Sequence, residues 1–246
     1  MSNVRGVNKM HENRIEYRKR IDTIKKDFSK RSIIYDDYIV KVVPHHREML
    51  EALVSSIPFS TDEPIKIVEL GCGTGMATYN IIKRYPNASL KCIDISPDML
   101  NLAKKKLEAF SNIEFELADY TKCKLEGKYD AVVSFLSLMY LANDETRKSV
   151  FRKAYDVLTP GGIFISGESN VSRNEHFQEI CMEKWIEHMR KSYSDDFIKT
   201  EVLEKAKKHG TASLLTDEIQ YLEDVDFKQV DVFWKYYGFS VYGAIK

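Results

Sequence analysis

No stretch of this chain approaches the roughly 20 consecutive apolar residues needed to cross a bilayer, so a membrane-spanning helix is not expected. The polar N-terminus lacks the apolar core of a secretory signal, which makes the cytoplasm the expected location. The four cysteines, Cys72, Cys92, Cys123 and Cys181, form no Cys-x-x-Cys pair and no Cys/His spacing suited to zinc. Reduced thiols and no metal site are the expectation. Net charge is also missing, because 37 Lys+Arg balance 37 Asp+Glu. That removes any general electrostatic reason for a nucleic-acid or membrane partner. There is no internal repeat and no low-complexity tract. What remains is 246 residues, 43% hydrophobic and 30% charged, enough for one α/β domain with a sizeable core and a cap.

The charge is unevenly spread. Residues 1–31 hold ten Lys/Arg, from Arg5 to Arg31, against Glu12, Glu16, Asp22 and Asp27. A solvated helix face is the plain reading of this basic arm, and contact with RNA is the alternative it leaves open. Tyr17, Ile21, Ile24 and Phe28 make the stripe of an amphipathic helix. Pro44 suits the first turn of a second helix, with Met49, Leu50, Leu53 and Ile57 as its buried face. Pro58 to Pro64 then reads as a linker.

From there strands and helices alternate, which implies a mostly parallel sheet covered on both faces. Strands are expected at 65–70, 89–95, 113–117, 129–135 and 163–167. Helices are expected from Gly75 to Tyr85, from a Ser96 cap to about Phe110, and from Asn143 or Asp144 to Leu158. Thr159-Pro160-Gly161-Gly162 stops the last of these. Residues 170–215, polar and helical around Trp185, are too long for a simple crossover. A final helix capped by Thr216 leads to a strand pair at 228–236 and 239–245 that turns near Gly238.

The chemistry begins where the apolar run Ile65 to Leu70 enters Gly71-Cys72-Gly73-Thr74-Gly75. Glycines there permit positive φ and remove the Cβ atoms that would hold a ligand off the backbone. A P-loop is excluded, because Met76-Ala77 stands where Lys-Ser/Thr is required. The third glycine of a dinucleotide fingerprint is replaced by Met76.

With this Gly-x-Gly-x-Gly turn, the chain resembles the class I S-adenosylmethionine-dependent methyltransferases over about 65–168 and 216–246. Val68-Glu69-Leu70-Gly71-Cys72-Gly73-Thr74-Gly75 looks like the family's first motif, and Asp94 matches the acid that grips the ribose hydroxyls. Asp119-Tyr120 matches the pair beside the adenine, Ser134-Phe135-Leu136 the floor of the methionine end, and Leu158 to Gly162 the turn before strand 5. The resemblance implies a Rossmann-like seven-stranded sheet in the order 3-2-1-4-5-7-6. Residues 61–169 and 216–246 would form the cofactor-binding core, and 1–60 with 170–215 a helical cap. It further implies S-adenosyl-L-methionine as cofactor, held by Glu69, Gly71, Cys72, Gly73, Gly75, Asp94, Ile95, Met99, Asp119, Tyr120, Ser134 and Leu136.

The expected activity is methyl transfer to a small molecule, with Tyr35, Tyr140 and His176 as candidate substrate contacts. No catalytic base is legible: many relatives have a histidine after strand 4, where this chain has Leu138-Met139-Tyr140. The Asn/Asp-Pro-Pro-Tyr/Phe signature of amino-methylating nucleic-acid enzymes is also missing. The tail Val230 to Phe239 and the segment Phe28 to Pro44 are similar to carboxy-S-adenosylmethionine synthases, which gives an enzymatic alternative. In place of those relatives' Ala-Gly-Phe stands Val225-Asp226-Phe227, and Asp tolerates the left-handed conformation such a glycine takes. RNA modification through the basic arm and a silent cofactor-binding subunit are the remaining alternatives. The aromatic surface of the cap is compatible with a homodimer.

Overall fold

The computed structural model describes residues 19–23, 25–27, 34–209 and 212–246. Tyr17, Ile24 and Phe28 of the expected N-terminal stripe, and most of the basic arm, lie outside the described residues. Residues 19–23 and 25–27 are helical. Two helices follow, α1 (Tyr35–Val42) and α2 (His46–Ser55). The alternating unit then comprises β1 (Lys66–Leu70), α3 (Met76–Arg84), β2 (Ser89–Asp94), α4 (Pro97–Lys106), β3 (Ile113–Leu117) and β4 (Tyr129–Phe135). A 3₁₀ turn at Leu138–Tyr140 leads to α5 (Asp144–Val157) and β5 (Leu158–Ser169). Helix α6 (Glu175–Met189), a π-helical stretch Ile198–Leu203 and α7 (Glu204–His209) intervene before α8 (Leu215–Asp224), β6 (Lys228–Tyr236) and β7 (Phe239–Ile245).

The seven strands form one sheet in the order β3-β2-β1-β4-β5-β7-β6. β1 to β5 pair in parallel, and β7 runs antiparallel to both β5 and β6. This is the expected topology. Strand β1 is central and its Ile67, Val68, Glu69 and Leu70 are all buried, as a strand covered by helices on both faces requires. Helix α2 lays Met49 and Leu53 on the sheet, and Ile57 just past its end joins the same core, each at most 2% exposed. Burial of such side chains stabilises by about 1.5–3 kcal/mol each. Val42, Met189, Ile198 and Val202 form a separate small core that ties α1 to α6 and the π-helical stretch. There the Trp185 indole N–H donates to the Val42 carbonyl at 2.7 Å.

Local signals fare differently. Ser96 and Asn143 cap α4 and α5, accepting from the Met99 and Thr146 amides at 3.4 and 2.9 Å. Asp226 adopts φ 77°, the left-handed conformation expected of it. Pro44, however, does not begin α2: His45 at φ 52° is the N-cap, because the chain makes one more turn before the helix axis is set. Helix α4 stops at Lys106 rather than near Phe110, and Thr216 lies inside the first turn of α8, whose N-cap is Leu214.

Glycine is needed at Gly75 for two reasons. Its φ is +77°, and a Cβ would approach Leu107 Cδ1 to 2.8 Å and Ala103 Cβ to 3.2 Å. Gly161 has φ +78° with nothing within 4 Å of the same position. Left-handed strain alone costs an alanine about 1–2 kcal/mol, and overpacking adds about 1–3 kcal/mol. Gly75→Ala is therefore expected to destabilise by about 2–5 kcal/mol and Gly161→Ala by about 1–2 kcal/mol. Urea unfolding of the two variants checks the order, and equal losses would refute the packing role of Gly75.

Candidate active site

At the carboxyl edge of the sheet, buried acids set the geometry of the loops after β1, β2 and β4. After β1, the amides of Gly71 and Cys72 donate to the Ile93 carbonyl at 2.8 and 3.1 Å, which ties the glycine turn to β2. Gly71 has φ +76°, and a Cβ there would fall 1.9 Å from Ser137 Oγ, so only glycine admits this approach. Asp94, at the end of β2, accepts from the Gly73 amide through Oδ2 and from the Ser96 amide through Oδ1, both at 2.8 Å. Burial raises its pKa, and those backbone donors oppose the rise. Glu69, 1% exposed, accepts from the Thr78 hydroxyl at 2.5 Å. Burial pushes its pKa up to about 8, against the pull of that hydrogen bond.

A third acid holds the loop after β4. The Glu168 carboxylate accepts from the amides of Ser137, Leu138 and Met139 at 3.3, 3.1 and 3.1 Å, and from the Ser166 hydroxyl at 3.0 Å. Burial raises its pKa and those donors lower it. From the other side, Arg147, 1% exposed, donates to the Leu138 carbonyl at 3.1 Å while its Nε lies 2.7 Å from Glu218. The 3₁₀ turn that carries Tyr140 is thus fixed between β5 and α8. Tyr120, after β3, shares a hydrogen bond of 3.0 Å between its hydroxyl and Ser137 Oγ.

Helix α1 closes over the glycine turn. Asp36 accepts from the Thr74 hydroxyl and from Lys106 Nζ, each at 2.5 Å, and Arg20 donates to the Tyr140 carbonyl at 3.2 Å. Tyr35 is enclosed beneath, and burial drives its phenol pKa well above the usual value.

Two cavities result. The first, about 1120 Å³, is lined by Glu69, Gly71, Cys72, Gly73, Asp94, Ile95, Met99, Asp119, Tyr120 and Leu136 of the sequence-predicted set. The second, about 880 Å³, lies between α1, α6 and the end of β5. Tyr35, Ile39, Leu136 and Tyr140 belong to both walls. Three predicted residues stand elsewhere. Gly75 packs on Leu107 and Ala103. Ser134 is buried with its hydroxyl toward Glu168 at 3.4 Å, because alternation along β4 puts it on the face opposite Phe135, which lines the cavity together with Leu136 just past the strand's end. His176 sits at the exposed start of α6 and lines neither cavity, contrary to the substrate contact expected of it. Sequence reasoning missed Arg20, Thr74, Ser137 and Glu168 in the site. His46 of α2 also stands in the site. That buried imidazole lines the first cavity and stands edge-on to Phe135 at 5.3 Å, with burial lowering its pKa to about 4.

A methyltransferase domain model matches residues 67–162, the segment from β1 to the turn that opens β5. Carboxy-S-adenosyl-L-methionine synthase of Nautilia profundicola is 24% identical over 214 residues, covering 87% of this chain and 91% of that protein. Malonyl-[acyl-carrier protein] O-methyltransferase 2 of Ilyobacter polytropus is 29% identical over 182 residues, covering 74% and 66%. Along most of its length the chain is similar to enzymes that work with S-adenosylmethionine, and its central segment matches a methyltransferase domain. Its fold is shared by the S-adenosylmethionine-dependent methyltransferase SibL, with a TM-score of 0.59 and 15% identity, although this chain spans only 55% of that one. Human N-acetylserotonin methyltransferase in complex with S-adenosylmethionine gives 0.56 and 19%, over 80% of this chain and 51% of that one.

S-adenosylmethionine is the cofactor of this methyltransferase, and the site suits it. The Cβ direction of Gly73 is open for at least 4 Å, so a ligand can approach the backbone closely. Each Asp94 oxygen uses one lone pair on a backbone amide, which leaves acceptor capacity for hydroxyl groups.

Glu69 gives this cavity a pH signature. Its folded pKa, about 8, lies above the ordinary 4.5. The folded state therefore binds the extra proton, and that advantage is complete below pH 4.5 and lost as pH rises through 8. In the cofactor-free protein, wild type is expected to lose about 2–4 kcal/mol relative to Glu69→Gln between pH 5 and 8. Urea unfolding at both pH values checks this, and parallel pH profiles would show that Glu69 ionises normally.

Proposed function

We propose that the chain transfers a methyl group from S-adenosylmethionine to a small-molecule acceptor held in the second cavity. The carrying observation is the wall that the two cavities share at Tyr35, Ile39, Leu136 and Tyr140. In this reading Asp94 takes the ribose hydroxyls and Asp119 with Tyr120 borders the adenine, at the β2 and β3 end of the cavity. The sulfonium then faces β4 and the shared wall. Residues 61–169 and 216–246 act as the cofactor-binding core, with 1–60 and 170–215 as the cap.

The chemistry asks little of the protein. An acceptor lone pair attacks the methyl carbon in line with the departing sulfur, the C–S bond electrons return to sulfur, and S-adenosylhomocysteine leaves. Holding the nucleophile behind the carbon and excluding water supply most of the rate. Leu136 would form the floor, Tyr35 and Tyr140 would position the acceptor, and α1 would exclude water while the Asp36, Thr74 and Lys106 contacts hold it down.

Carboxy-S-adenosylmethionine synthesis is the second reading, favoured by the end-to-end match with the Nautilia protein. It predicts a modified cofactor as product and no methylated acceptor, so mass spectrometry of the products distinguishes the two.

The test is thermal unfolding with S-adenosylmethionine, S-adenosylhomocysteine, NAD and ATP in parallel. A ligand at a hundred times its Kd adds about 2.7 kcal/mol to the folded state, and only the two adenosyl compounds are expected to do so. Loss of the charge-assisted contacts in Asp94→Ala is expected to weaken S-adenosylhomocysteine by about 10- to 100-fold in calorimetry. Unchanged affinity would remove Asp94 from the site.

A further inference from the structure

We propose that α1 is the gate of the first cavity, hinged at its carboxyl end and latched at its amino end by Asp36, so that release of Asp36 sets the rate of cofactor exchange. The proposal rests on S-adenosylmethionine occupying that cavity and names how its entry and exit are regulated.

Three observations carry it. The first is where α1 lies. Tyr35 and Ile39 line the first cavity, and Tyr35, Tyr38, Ile39 and Val42 line the second. Successive turns of one helix thus cover both spaces. Lifting the first turn uncovers the glycine turn to which it is joined.

The second is the contrast between the two ends of the helix. At the carboxyl end, Val42 is buried with Met189, Ile198 and Val202, and its carbonyl accepts from the Trp185 indole at 2.7 Å. The chain then turns at His45, φ 52°, into α2, whose Met49 and Leu53 belong to the main core. The amino end is held by polar contacts. Asp36 accepts from the Thr74 hydroxyl through Oδ1 and from Lys106 Nζ through Oδ2, each at 2.5 Å, and Lys106 Nζ lies 3.3 Å from Thr74 Oγ1. The Asp36 and Lys106 side chains are 42% and 27% exposed. An ion pair that water reaches contributes little to stability, whereas exposing the apolar cluster around Val42 costs far more. The first turn is therefore the end that opens.

The third is where the latch stands relative to the ligand. Thr74 lines the first cavity, but Asp36 and Lys106 line neither cavity. The walls built from the sheet edge are loops tied down by the buried carboxylates of Asp94 and Glu168. Passage under α1 breaks one accessible ion pair and one hydroxyl contact instead. Because Asp36 and Lys106 touch no cavity occupant, their pairing stabilises the closed form equally whether the cavity is empty or filled. Weakening it raises the open population of both states by one factor, so association and dissociation accelerate together and equilibrium affinity is unchanged. Loss of a ligand contact behaves otherwise, raising dissociation alone.

The test follows S-adenosylhomocysteine exchange on the full chain by surface plasmon resonance, with Kd from calorimetry. Asp36→Asn keeps an acceptor for Thr74 and removes the charge that holds Lys106, and Lys106→Met removes the other charge. Each is expected to raise kon and koff at least threefold, with Kd within twofold of wild type. Raising NaCl from about 0.05 to 0.5 M is expected to accelerate both wild-type rates at least twofold, by screening an accessible pair, and to leave the rates of either variant unmoved. A rise in koff alone with a matching loss of affinity makes Asp36 a residue that holds the ligand, and unchanged rates place the entry elsewhere. Either result, or a salt effect that persists in both variants, overturns the gate. Failure of the wild-type chain to bind S-adenosylhomocysteine in calorimetry overturns the assignment of the cavity beneath it.

Discussion

Three carboxylates buried at one edge of the sheet, Glu69, Asp94 and Glu168, constrain nearly everything that follows from this fold. A buried carboxylate is tolerated only when donors converge on it, and two of these recruit loops while the third ties β1 to α3. Asp94 gathers the amides of Gly73 and Ser96, Glu168 gathers those of Ser137, Leu138 and Met139, and Glu69 takes the Thr78 hydroxyl. The loops after β1, β2 and β4 are therefore shaped by the acids rather than by packing alone. The first cavity is the space left between them.

The same constraint explains what the sequence made legible. The positions of the strands, with the ends of β3 and β4, follow from apolar runs separated by helical spacing, which a single chain displays directly, whereas the strand order was implied by the family resemblance and not by spacing. The caps at Ser96 and Asn143 and the left-handed Asp226 follow from local chemistry. Glu168 was invisible, because nothing within β5 announces that its donors come from a turn thirty residues upstream. Ser134 and Gly75 share a motif with true cavity residues, but a motif fixes register and not the direction in which a side chain points. Ser134 faces Glu168 and Gly75 faces α4. The outward position of His176 has a related origin: α6 turns its Trp185 face toward α1, and the first turn of the helix is left at the surface.

Arg147 extends the network away from the cofactor. It is almost fully buried, reaches the Leu138 carbonyl and pairs with Glu218 of α8, whose hydroxyl donor is Ser213. Removing one member of such a set strands the others without partners, which is far costlier than the net worth of any one contact. The segment 213–218, which follows the cap helices, is thereby anchored beside the turn that bears Tyr140. A change in the cap has a short covalent and polar route to the shared wall.

In the proposed reading, that wall is where the choice of reaction is made. The cofactor presents the same sulfonium whichever reaction follows, so the partner admitted on the other side of Tyr35 and Tyr140 decides the product. A site that builds a carboxylated cofactor must stabilise an added negative charge beside the sulfonium, whereas methylation of a neutral nucleophile places a positive charge on the acceptor.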